Sequence, residues 1–327
     1  MLKYFIRRLG YMLVTLVIVT ILGYIIIELP PGSFVETEVR RLQRAGGTMP
    51  EEQVKALYRR YGLDKPAYVR FWKWISGFVR GDFGEAFAYN LPVRDLIGAR
   101  LGFTMFISLL TLIFSWVVAI LLGVYSATHR YTVPDYIITV LQFIGLAVPN
   151  FMLALLLMVG AQRFFNLEVG GLYSQGFENA PMSFAKIIDL LKHLWIPVVV
   201  ISASGTAWLS RVMRANLLDV LNMQYIQTAR AKGLKEGVVT WKHAVRNAIH
   251  PLIMVLGGSL PAIISGETIV AIVLNLPTTG PLYFQALLNQ DMYLAGTFLM
   301  FLAIMLLVGN LGADMLLAWV DPRIRYE

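Results

Sequence analysis

Six stretches of this chain run without a charged side chain for long enough to approach the thickness of a membrane. They are residues 9–27, 101–128, 136–162, 194–210, 251–266 (resuming past Glu267 to about Leu276) and 292–313. A helix needs about 20 apolar residues to cross the hydrocarbon core. The chain is 57% hydrophobic and 15% charged, against about 25% charged in soluble domains. The pattern predicts an all-α polytopic membrane protein with six transmembrane helices.

The first window follows Lys3, Arg7 and Arg8, as a signal peptide would. It is longer than an ordinary signal core, and no small-x-small cleavage site follows, so it reads as an uncleaved first span. The fourth window has 17 residues and reaches full length only if Arg211 snorkels to the boundary. Six spans put both termini on one side. With the N-terminus inside, 13 Lys/Arg fall inside and 15 outside, but 12 of the outer ones lie between the first two spans. Segments that long cross largely regardless of charge, and the short loops then favour N-in, C-in. The same rule accounts for the net charge of +8 without a nucleic-acid partner.

The expected organisation is a membrane helix over 1–29, an extracytoplasmic segment over 30–100, a five-helix core over 101–320 and a cytoplasmic tail over 321–327. A cytoplasmic loop over 211–249 interrupts the core. In the outer segment, PEEQVKALYRRYGLDKP carries a Pro start, early acids, late bases and a Gly stop, the marks of a helix. VRFWKWISGFVRGDFGEAF follows. Its Phe71, Trp72, Trp74 and Phe78 fit either a helix lying in the interface or a packed cap on the bundle.

Motifs for chemistry are absent: no phosphate loop, no HExxH, no GxSxG. Without cysteine there is no disulfide or thiolate metal site. His129, His193, His243 and His250 sit near span boundaries and read as interfacial groups, not metal ligands. Glu267 is the clearest ionisable group inside a span. A charge there marks a cavity or a partner, or else a protonated carboxyl bridging two helices. Asp314, one turn after Asn310, reads as packing or pairing near the inner end of the last span. Gln142, Asn150, Ser259 and Glu267 are the candidates for a translocation path. Ser204 and Thr206 add polar points, Pro149 and Pro261 interrupt helices, and Gly257-Gly258 allow close approach. This is a path with no engine, so energy must come from an ion gradient or a separate motor.

The 211–249 loop suits a motor's grip. LLDVLNMQYIQTARAKGL reads as a helix from Leu217 that Gly233 stops, and a second helix covers about Lys235–Ala248. Ala229 and Ala231 are small enough to dock into a groove.

These residues carry a resemblance. The loop is similar to the cytoplasmic coupling loop of ATP-binding-cassette importer permeases, whose pattern is EAA, three residues, then Gly. Gly233 matches the Gly, and Gln227-Thr228-Ala229 stand over EAA with only the Ala kept. The dipeptide and oligopeptide branch reads close to TARAKGL, HALRNA and a Pro; this chain has TARAKGL, HAVRNA and Pro251. YGLDKPAYVRFWKW, GDFG, VPNF at 148–151, GPLYFQALLNQD at 280–291 and the terminal DPRIRY resemble the same branch. Two departures stand out. Ala271 occupies a place where the branch commonly has an acid, and the turn is Pro277-Thr278-Thr279-Gly280, not PGLG-like. Glu267 lies one turn earlier.

The resemblance implies a type I importer permease in a prokaryotic inner membrane. A second permease subunit, two ATPase subunits, an extracytoplasmic binding protein and membrane lipid are its implied partners. ATP and Mg would be bound by the ATPases, with no cofactor in this chain. Gln227, Thr228, Ala229, Arg230, Ala231, Lys232, Gly233 and Leu234 would form the ATPase-coupling segment. The cargo would be a peptide, with oligosaccharide open. The alternatives from other classes are a stand-alone ion-coupled carrier and an intramembrane enzyme.

Overall fold

The computed structural model describes residues 2–167, 170–177, 180–256 and 267–320, with side chains from residue 8 to 312 in these ranges and at Met315. Gly257, Gly258, Ser259, Pro261 and the 321–327 tail lie outside the described residues, as does the side chain of Asp314. The chain divides into two compact units, residues 1–102 with 278–307 and residues 103–277 with 308–327.

The first unit contains α1 (Leu2–Glu28), α2 (Phe34–Arg44), α3 (Glu51–Tyr61), α4 (Ala67–Val79) and a two-stranded hairpin, Glu85–Ala86 against Leu91–Pro92. The caps of α3 are those expected: Pro50 precedes it, and Gly62 ends it in the left-handed conformation. The aromatic stretch resolves by face. Trp74 is buried and, with Phe71 and Phe78, packs in a cluster with Tyr24, Met292 and Met300. Trp72 stays exposed. A second aromatic knot joins Phe34, Tyr61 and Phe87. Asp291 anchors it: fully buried, its carboxylate accepts from Phe87 N–H at 2.6 Å and Leu294 N–H at 3.1 Å. Burial pushes this carboxyl up to about 6, although backbone N–H groups of Leu294, Phe87, Ala88 and Tyr293 pull the other way.

The second unit is built on α5 (Val93–Thr128, shared with the first unit), α6 (Val133–Ala147), α7 (Asn150–Phe165) and the 38-residue α8 (Phe184–Leu221). Close helix approach is fixed by Gly123, where a Cβ would stand 2.8 Å from the Ser210 carbonyl oxygen and 2.7 Å from Met213 Cβ. Asp135, buried at the start of α6, pairs with Arg214 of α8 at 2.9 Å.

Among the described residues three helices are long and apolar enough to cross a membrane: Arg8–Glu28, Val93–Thr128 and Met292–Gly312. The apolar exposure of α5 to α7, for example Val117, Leu121, Leu141, Leu156 and Val159, is what a lipid or subunit surface requires. The single span expected over 136–162 is two helices bent by 110°. Pro149 is the cause: its ring excludes the helical conformation at the preceding residue, and Val148 is extended at ψ 123°. The fourth window lies inside α8, so it needs no help from Arg211 to be long. At 1.5 Å per residue, α8 is longer than the core of a bilayer is thick.

Candidate functional site

The loop beyond α8 is built differently from the expected helix over Leu217–Gly233. Leu217 to Leu221 are the last turns of α8, which stops at Asn222. A separate helix, α9 (Gln224–Ala231), starts after Met223. The break follows from competition for carbonyls: Asn222 Nδ2 turns back to the Leu218 carbonyl at 3.0 Å, the local bonding that disfavours Asn inside helices.

Gly233 then ends α9 as expected, with φ +75°. Its N–H donates to Arg230 O at 2.9 Å and Leu234 N–H to Ala229 O at 3.4 Å, the pair of bonds of a Schellman turn. Arg230 closes over the turn onto Glu236 at 2.8 Å. The chain returns through α10 (Glu236–Val238), a π-wound stretch Val239–Ala244 and α11 (Val245–Ala248). The expected second helix is therefore present but wide in the middle. Asn247 Nδ2 donates to Tyr225 Oη at 2.6 Å, which fastens it to α9.

The eight residues of the 227–234 segment do not share one environment. Ala229, with Ile226, is buried against Met213, Leu217, Val239 and Ala244. The reading of Ala229 as an outward docking residue is corrected: its small size lets α9 sit on α8. Gln227, Thr228, Arg230, Ala231, Lys232, Gly233 and Leu234 are all exposed. Around them Met223, Tyr225, Val238 and Trp241 also leave large apolar surface uncovered. Sequence reading places Tyr225 on one helical face with Leu217, Leu218, Leu221 and Ala229 and misses Met223, Val238 and Trp241. Their signal was an apolar residue at intervals on an otherwise polar, basic loop.

The second feature is a cavity of about 480 Å³ within the same unit, in the size range of small-molecule sites. Asn150, the first residue of α7, points Nδ2 at both Glu267 oxygens, 2.8 and 2.9 Å away, and lies 3.4 Å from Ser204 Oγ. Both Asn150 and Glu267 line the cavity. The bend at Pro149 is what aims Asn150 there. Thr206 Oγ1 donates to Ser115 Oγ at 3.1 Å. Gln142 is elsewhere: buried, it donates to Ser210 Oγ at 2.8 Å and locks α6 to α8. It does not line the cavity. Ser259 lies outside the described residues.

The cavity also takes Ser108, Thr111, Ser115 and Trp116 from α5, and Ser202 and Trp208 from α8. The α5 hydroxyls recur at helical spacing inside an apolar run, a signal legible in sequence but not weighed. Of the histidines, His193 is not an interfacial group. It is buried, with its Nδ1 2.8 Å from Asp189 O. Among the described residues no three His, Asp or Glu side chains gather as a metal site would need.

Residues 119–326 match the family described as binding-protein-dependent transport system inner membrane component, and residues 1–109 match that system's N-terminal membrane component family. The chain is 36% identical to the oligopeptide transport system permease protein AppB of Bacillus subtilis, over the full length of both. It is 30% identical to the glutathione transport system permease protein GsiC of Escherichia coli, again over all of both chains.

Proposed function

The chain belongs to the family of binding-protein-dependent transport system inner membrane components, and from that premise we propose that it is one permease subunit of an ATP-driven peptide importer. These two relatives are named for an oligopeptide and for glutathione, which favours short peptides over oligosaccharides. In this reading the chain spans the membrane six times with both ends in the cytoplasm. It pairs with a second permease, receives cargo from an extracytoplasmic binding protein and rests on two ATPase subunits. ATP and Mg belong to those ATPases, and this chain binds no cofactor.

The observation that carries the reading is the division of labour in α9. Ile226 and Ala229 root the helix in the core around α8, while the turn from Arg230 to Leu234 stands clear of it. A push on the exposed turn is transmitted to α8 through buried side chains, and α8 forms one wall of the cavity. Packed elements respond to such a push by switching between discrete arrangements. Inside the cavity the Asn150–Glu267 pair offers a held carboxylate to an ammonium group, such as a peptide amino terminus, among hydroxyls that bind cargo weakly enough to release it.

The test is uptake by the purified assembly in sealed vesicles. Peptide should accumulate only with ATP, the ATPase subunits and the binding protein present. Uptake by this chain alone, driven by an ion gradient, would establish a stand-alone carrier instead, and accumulation of oligosaccharide but not peptide would overturn the cargo.

A further inference from the structure

α4 is tied to the ends of two membrane helices. Glu28, the last residue of α1, takes a two-pronged salt bridge from Arg70 at 2.7 and 2.8 Å. Tyr24 Oη donates to the Ala67 carbonyl at 2.7 Å. Trp74 packs among Tyr24, Met292 and Met300; Met292 begins the Met292–Gly312 span, and Met300 lies about two turns further in. α4 therefore lies at the level where these helices leave the apolar layer.

Its surface divides into three faces at helical spacing. Phe71, Trp74 and Phe78 point inward. Tyr68, Trp72 and Val79 form an exposed face, at 69, 66 and 79% exposure. Exposed aromatics at this level are what a helix seated in the interface carries. The third face carries Lys73, Ser76 and Arg80 and opens on a pocket of about 340 Å³. On its far side Arg60 is already paired with Glu85 at 2.6 Å. Lys73 and Arg80 have no ion-pair partner among the described residues. Asp82, at the same pocket, accepts from Gly84 N–H through Oδ1 at 3.0 Å.

We propose that this pocket is a phospholipid headgroup site. The phosphate lies between Lys73 and Arg80, which supply charge-assisted hydrogen bonds. A hydrogen-bond donor further out on the headgroup, an ammonium or a hydroxyl, meets Asp82. Tyr68, Trp72 and Val79 rest against the same lipid layer and bring its phosphates to the height of the pocket. The pocket's unpaired charges, two positive and one negative, match a headgroup with an anionic phosphate and a distal donor. Phosphatidylcholine has the phosphate but no distal donor. The inference rests on the chain's place in the membrane and not on the coupling or cargo readings.

Native mass spectrometry of the detergent-purified full chain, titrated with single lipids, tests it. The wild type should retain phosphatidylethanolamine and phosphatidylglycerol in preference to phosphatidylcholine. K73Q/R80Q should weaken retention of both about tenfold. R41Q/K55Q, which removes two exposed cations away from the pocket, each paired with a glutamate of its own helix, should leave it unchanged. D82N should lower phosphatidylethanolamine, whose ammonium loses an anion, more than phosphatidylglycerol. Inorganic phosphate should not displace bound lipid. Equal loss in R41Q/K55Q, equal retention of phosphatidylcholine, or displacement by inorganic phosphate would overturn the site. So would unchanged lipid retention in K73Q/R80Q with weakened binding of the extracytoplasmic partner, which would make the pocket a protein-docking face.

Discussion

Replacing Gly233 separates what its backbone needs from what its surroundings need. At φ +75° any L side chain is strained, by about 1–2 kcal/mol for most residues and less for Asn. A Cβ built at Gly233 meets nothing within 4 Å, so a methyl adds no steric cost within this chain, and a larger side chain on this exposed turn has solvent to point into. Gly233→Ala and Gly233→Trp should therefore open the turn equally, by a factor of about 5–30, and Gly233→Asn by less. Tryptic cleavage after Arg230 and Lys232 in the membrane-embedded protein reads that opening. Transport should not follow the same order. Gly233→Asn should carry peptide nearly as the wild type does, and Gly233→Ala less. Gly233→Trp should carry almost none while remaining in the membrane, because its ring occupies space a partner needs. Equal transport by the Ala and Trp variants would refute the argument that the open space around Gly233 is a contact site.

Two further outcomes follow from the same geometry. Asp291 holds its proton more tightly folded than unfolded, so its contribution favours the folded first unit at low pH and is lost as pH rises from about 4 to 6. The rise from 3.8 to about 6 makes that loss about 3 kcal/mol at most. Hydrogen exchange at the Phe87 amide, corrected for its intrinsic rate, should show weaker protection at pH 7 than at pH 4.5, and Asp291→Asn should remove the difference. In the cavity, Glu267→Ala leaves the Asn150 amide with only a long contact to Ser204 and should cost about 1–3 kcal/mol in thermal unfolding. Glu267→Gln keeps an acceptor for Asn150. It should preserve stability while reducing uptake of peptides with a free amino terminus relative to N-acetylated ones.

The most legible parts of the chain were those where one residue type has one physical use. Pro50 and Gly62 bounded α3, and Gly233 ended α9: proline has no N–H to continue a preceding turn, and Gly62 and Gly233 stand at positive φ, which few other residues tolerate. Windows 9–27, 101–128 and 292–313 each correspond to a long apolar helix. Pro149 was noticed as an interruption, but a window average hides direction, and the 110° bend that places Asn150 depends on the extended conformation forced on Val148. Ala229 was misplaced because a small residue serves equally to dock outward or to let a helix sit close. Its partner Ile226, three residues earlier and also buried, was the clue to inward packing. Within α5 a uniformly apolar run gives no inside or outside, so only the spacing of Ser108, Thr111 and Ser115 marked the cavity wall. Gln142 and Asn150 look alike in sequence, and only packing separates the helix lock from the cavity residue.

The central claim is that the exposed turn of α9 is the surface an ATPase subunit grips. The chain has no cysteine, so a single one introduced at a chosen position reports that position alone. Ala231→Cys lies on the exposed side and Ala229→Cys on the buried side of the same helix. In the intact assembly, a short thiol crosslinker should join Ala231→Cys to an ATPase subunit, with a yield that changes on ATP binding, and should leave Ala229→Cys unjoined. Crosslinking through Ala229→Cys, or none through Ala231→Cys in an assembly that still transports, would contradict the account.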